Sequence, residues 1–134
     1  MTMAEQYRLS ARTAAEAIHR ELEAGDRDFA FRFVFQAISD MRKACDAVTD
    51  FLVQPSTTGS VTWDTFLATA VRWERERQGI PAPEWTDVLP LDDDWVVWPS
   101  GEPGAEWAAR IRARTPATFA ARRIFVTAHD FDSA

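Results

Sequence analysis

The chain has 134 residues, a formal net charge of −6 and a single cysteine. This length suits one domain burying roughly 65–70% of its unfolded surface, so neither a disulfide nor a metal is needed to hold it together. The acidic balance argues against a general nucleic-acid binder, which shows a basic excess, and no run of about 20 apolar residues is present to cross a membrane.

The N-terminus is polar and lacks the apolar centre of a signal peptide. With the lone Cys45 unable to form an internal disulfide, this gives a cytoplasmic expectation. Ala11 to Ala24 reads as a first helix, with capping-box spacing at Thr13 and Glu16 and a stop at Gly25. Its apolar stripe (Ala14, Ala17, Ile18, Leu22) is narrow, which suits a helix lying on the surface of something larger. Asp26 is placed to cap a second, stronger helix over Arg27 to Ala44. There Phe29, Phe33, Val34, Ala37, Ile38 and Met41 share helical spacing, while Phe31 and Phe35 project to another side. A helix apolar on two sides is expected at the centre of the fold.

Cys45 to Val53 extends this helix or adds a short one, with Val48, Phe51 and Leu52 joining the core and Cys45 a buried, inert thiol. Gln54 to Ser60 reads as an exposed loop tolerant of insertion. Thr62 is expected to cap a third helix over Trp63 to Gln78, with Trp63, Phe66, Leu67, Ala70 and Val71 on one face, Trp73 set aside from it, and Gly79 as the stop.

Ile80 to Pro99 then holds three of the six tryptophans, four of the seven prolines, five acids and no basic residue. The prolines forbid one continuous helix. The tryptophans are unlike a disordered linker, because each carries a large apolar area that favours burial. An irregular arm pinned by tryptophans is the reading, with Trp85 turned inward, Trp98 outward and Trp95 open. Ala105 to Arg114 reads as a fourth helix with Trp107 and Ile111 on one side, and Thr115-Pro116 opens a short fifth over Ala117 to Arg122. Ile124-Phe125-Val126 is a β-type triplet with no evident partner. Thr127 is placed to cap a last turn containing Phe131. The whole is an all-α expectation: a single small helical domain over residues 1–134, of about five helices with a Pro/Trp-rich irregular arm, residues 1–25 forming a peripheral N-terminal helix.

Charge is locally uneven. Glu84 to Glu106 carries seven acids and no base, and Arg110 to Arg123 carries five arginines and no acid. Either these segments fold back on each other, or one of them faces a partner of opposite charge. Arg122 and Arg123 beside Phe125 are the candidates for touching phosphates in an alternative nucleic-acid reading. His129-Asp130 is similar to a metal-hydrolase pair, but His19 is the only other histidine to complete a ligand set. Asp92-Asp93-Asp94 lacks the alternating ligands of a calcium loop, and there is no phosphate loop, dinucleotide fingerprint or His-Glu-x-x-His. No cofactor, metal or catalytic residue is expected, and the chain is not read as an enzyme.

Phe31-Arg-Phe-Val-Phe-Gln36 with Asp40, Trp63-Asp64, Gly79-Ile-Pro-Ala-Pro-Glu-Trp-Thr86, Trp95, Thr115-Pro-Ala-Thr-Phe119 and Arg123-Ile-Phe-Val126 follow one another in an order that resembles a set of actinobacterial antitoxin-like proteins. These are encoded beside nucleotidyltransferase-type toxins of the AbiEii/MenT kind. The resemblance covers Arg27 to Phe131. It departs from the family's regulators in having one short helix where they carry a helix-turn-helix, and in having Thr127 where an acid usually follows Ile-Phe-Val. It implies a protein-interaction module that neutralises a partner toxin by covering its active site. On that reading Trp73, Trp85, Trp95 and Trp98 anchor the interface, Trp63 and Trp107 belong to the core, and Asp92, Asp93 and Asp94 face a basic nucleotide-binding cleft.

Overall fold

The computed structural model describes residues 9–44, 52–98 and 102–132. The expectations for Cys45, Val48, Phe51 and Pro99 lie outside these residues. Among the described residues six helices and two short strands follow in order: α1 (Ala11–Glu23), α2 (Arg27–Ala44), α3 (Val61–Arg77), β1 (Trp95–Val96), α4 (Ala105–Arg114), α5 (Ala117–Ala120), β2 (Ile124–Phe125) and α6 (Ala128–Asp132). The fold is mostly helical, as expected. A single turn of 3-10 helix, Glu84–Thr86, interrupts the arm.

Helix starts and stops follow side-chain chemistry. Ser10, not Thr13, caps α1: the Ser10 hydroxyl accepts from the Thr13 amide, and the Thr13 hydroxyl accepts from the Ser10 amide. Asp26 caps α2 by accepting from the Phe29 amide at 3.1 Å. Ser60, two residues before the expected cap, starts α3. Gly25 and Gly79 both take positive φ, 79° and 72°. Each closes a helix with the same pair of bonds, Asp26 N to Glu21 O with Gly25 N to Leu22 O, and Ile80 N to Arg75 O with Gly79 N to Glu76 O. Glycine suits these positions because the left-handed conformation has no Cβ penalty there.

The helix α2 is central, as expected, and α3 shares the centre with it. Thr65 to Val71 are buried without a break, and Trp63, Trp73 and Glu74 are buried with them. Phe66 lies at the middle of the core, with the rings of Phe31, Phe35, Trp63, Trp95, Phe119 and Phe131 between 5.3 and 6.5 Å of its centroid. Such edge-to-face and tilted pairs contribute beyond their buried area, about 0.5–1.5 kcal/mol each. On α2 the buried apolar residues are Ala30, Phe31, Val34, Ala37, Ile38 and Met41, so Phe31 belongs to the core stripe and Phe29 is exposed instead. The first helix is not peripheral. Its buried Ala14, Ala15 and Ile18 join the core, because small side chains let α1 approach α2 closely.

The loop at 54–60 is held rather than free. Thr58 is buried, and the Asp64 carboxylate accepts from the Thr58 amide at 2.6 Å and from the Thr58 hydroxyl at 2.7 Å. His19 of α1 contacts the Thr58 carbonyl at 2.9 Å. The β-type triplet does have a partner: β1 and β2 run parallel, with Trp95 opposite Ile124 and Val96 opposite Phe125. The partner strand lies within the arm, and α4 and α5 form the connection that parallel strands require.

Candidate binding surfaces

The first half of the arm is stapled to α3. The Trp85 indole N–H donates to the Leu52 carbonyl at 2.9 Å, Arg72 donates to the Thr86 carbonyl and Arg75 to the Pro81 carbonyl. Trp85 is turned inward, as the stiff prolines beside it suggested. Trp95 is half-buried among Phe31, Trp63 and Phe66, with centroids 5.3 to 5.7 Å away. Trp73, expected at an interface, is only 5% exposed and belongs to the core. It stands seven residues after Phe66, two helical turns on, and so shares that stripe.

The acidic arm and the arginine-rich segment fold back on each other. Asp94 accepts from Arg123 Nε at 2.7 Å through one oxygen and from Arg112 at 3.0 Å through the other. These hydrogen bonds hold the Asp94 carboxyl below its ordinary 3.8 and push the Arg123 guanidinium up. Arg123 also donates to the Asp92 carbonyl, and Arg112 lies 4.4 Å over the Phe125 ring. Arg123 reaches its place in the left-handed region, at φ 64°. For a residue with a Cβ this costs about 1–2 kcal/mol, offset here by the contacts of its side chain. Arg122 donates to the Thr118 carbonyl and lies 3.9 Å from Asp87. Both arginines of the nucleic-acid alternative are therefore engaged within the chain.

Asp92 and Asp93 differ from Asp94. Among the described residues their carboxylates make no hydrogen bond and no ion pair within 4 Å of a cation. They edge an open cleft of about 570 Å³ that also takes in Arg27, Val61, Trp63 and Trp95. Val61, 78% exposed, lines the same cleft, and Leu89, three residues before Asp92 in the arm, is 84% exposed.

A second cleft, of about 470 Å³, opens between α4, α6 and the residues after β1. Its floor is apolar, with Phe35, Val97 and Ile111. Trp98 and Trp107 stand at its rim with centroids 6.3 Å apart. Trp107, expected in the core, is 54% exposed. Its neighbour one turn on, Ile111, reaches the core instead, so α4 projects its first turn past the body. Arg110 lies 5.0 Å over the Trp107 ring and is paired with Glu106, whereas Arg114 and His129 have no hydrogen bond or ion pair among the described residues. Asp130 accepts from the Thr127 hydroxyl at 3.2 Å. The readable signal was Trp107, Arg110, Ile111 and Arg114 at positions i, i+3, i+4 and i+7, one face of a helix.

Among the described residues no group of three or more His, Cys, Asp or Glu side chains is arranged to hold a metal ion. No described helix is long and apolar enough to cross a membrane. Comparison with protein-family models, with curated proteins and with solved structures gives no match for this chain.

Proposed function

We propose that the chain is a non-catalytic, cytoplasmic protein-interaction module of antitoxin type. Its acidic arm covers the basic ligand cleft of a nucleotidyltransferase-like toxin. The observation that carries this reading is the contrast within one tripeptide: Asp94 is hydrogen-bonded by two arginines, while the carboxylates of Asp92 and Asp93 make no hydrogen bond or ion pair among the described residues and act on Arg123 only through space. The clasp holds the arm in place, so the exposed carboxylates of Asp92 and Asp93 and the exposed Leu89 are presented without an ordering cost at binding. The carboxylates mimic an anionic ligand and speed association, and Leu89 and Val61 supply apolar area at the contact. Trp85 and Trp95 act as staples of the arm, and Trp98 belongs to the separate cleft. The order of motifs that resembles antitoxin-like proteins supplies the class of partner.

The test is co-expression with a candidate nucleotidyltransferase toxin, followed by size-exclusion chromatography and binding kinetics. A complex is expected whose association slows with salt. The double variant Asp92→Lys/Asp93→Lys, checked for an unchanged melting temperature, is expected to lower the association rate about tenfold or more. A complex indifferent to that variant, or no complex with any such toxin, overturns the reading.

A further inference from the structure

The Trp98–Trp107 cleft is independent of the acidic edge and has a different chemistry. Four features converge there. The floor is apolar, formed by Val97 and Ile111 among others. Two indole faces stand at the rim, 6.3 Å apart. The exposed Arg114 and His129 line the cleft with no side-chain hydrogen bond or ion pair among the described residues, beside Asp130, whose carboxylate accepts from the Thr127 hydroxyl. The volume, about 470 Å³, lies in the range of small-molecule sites. Arg42 and Arg77 beside Trp73 are committed to Glu74, whereas Arg27 over Phe31 and Arg32 over Phe29 have no carboxylate partner among the described residues. Within the cleft Arg110 is paired with Glu106, and Arg114 on the same helix face is not paired with an acid among the described residues.

We infer that this cleft binds a small planar organic anion, an aromatic carboxylate in chemical class. The ring of the ligand would lie against Trp98 and Trp107 over the apolar floor. Its carboxylate would take a charge-assisted, two-pronged hydrogen bond from Arg114, whose planar fork matches carboxylate geometry where a lysine would not. His129 would add a ring N–H. Neither feature suffices alone. An apolar cleft without a cation would take neutral hydrocarbons equally well, and a surface arginine without the indoles would hold an anion too weakly in water.

The experiment uses the whole chain and 2-naphthoate as the probe, with uncharged 2-naphthol as the comparator. Titration is followed by calorimetry and by the indole N–H resonances of the six tryptophans. Saturable binding of 2-naphthoate is expected, with the largest shifts at Trp98 and Trp107 and 2-naphthol bound about tenfold or more weakly. Arg114→Gln is expected to remove that preference for the anion while leaving residual naphthol binding. Trp107→Ala is expected to weaken both probes. No saturation at about 10 mM overturns the inference, as does equal affinity for both probes, or an Arg114→Gln variant that keeps the preference. The Asp92→Lys/Asp93→Lys variant is expected to bind 2-naphthoate unchanged. Loss of toxin binding and loss of this site are thereby told apart.

Discussion

Trp73 and Trp107 are both helical tryptophans with an arginine over the ring, yet one is 5% exposed and the other 54%. Around Trp73 the charged groups are paired within the chain. Arg42 and Arg77 flank the ring, both bond the buried Glu74, and Arg42 reaches on to Asp132 and the Phe131 carbonyl. Gln78 takes the remaining oxygen of Glu74. That knot joins α2, α3 and α6. Around Trp107 the groups are left over: a second indole, an apolar floor, and an arginine and a histidine without partners among the described residues. The same residue types thus serve two ends. Where they are buried against a shared carboxylate they stabilise the fold, and where they stand exposed and without one their interactions are available to a ligand.

Substitutions test that division, and the largest effect belongs in the core. Phe66→Ala removes the ring that six others surround, and a loss of about 3–5 kcal/mol in urea unfolding is expected. Glu74→Gln leaves the flanking guanidiniums of Arg42 and Arg77 without their carboxylate at a site only 3% exposed. A loss of about 3 kcal/mol is expected, by the same measurement. If Glu74→Gln were neutral, the knot would not be the structural element described.

Asp94→Asn acts between the two regions, on the clasp that sets the arm. Its carboxyl is held below 3.8 in the folded chain. The clasp's contribution is therefore fully present above that value and is lost as pH falls through the folded-state pKa. The variant is expected to be less stable than the parent at neutral pH, by less than either core change. The difference should shrink under acid, read from paired thermal melts across pH. Divergence of the two curves on acidification would contradict the assigned sign. The smallest effect is expected for Trp107→Ala, whose stability should stay within about 0.5 kcal/mol of the parent because the ring is mostly in water. A large loss there would move Trp107 to the structural side of the comparison.

Much of the fold was legible because local chemistry decides it. Gly25 and Gly79 end helices, Asp26 caps one, and the α4 boundaries coincide with the expected ones. The inward turn of Trp85 was legible for a similar reason, since the flanking prolines leave the chain few directions. The exposure of Trp107 was not. Its spacing to Ile111 gives a common face, but a face does not say whether a body lies opposite it along its whole length. Thr58 was missed because its burial comes from Asp64 and from His19 of a distant helix.

By itself, then, the sequence determined the all-helical class, most helix ends, the irregular arm, and the opposition of an acidic segment to a basic one. These rest on periodicity, caps and charge, which act over a few residues. Only the tertiary structure decided how α2 and α3 share the centre. It paired Trp95-Val96 with Ile124-Phe125, gave Asp94 rather than Asp92 or Asp93 to the arginines, and brought Trp98 to Trp107 over one cleft. Each of those choices depends on contacts between segments far apart in the chain, fixed by how the whole core closes around Phe66.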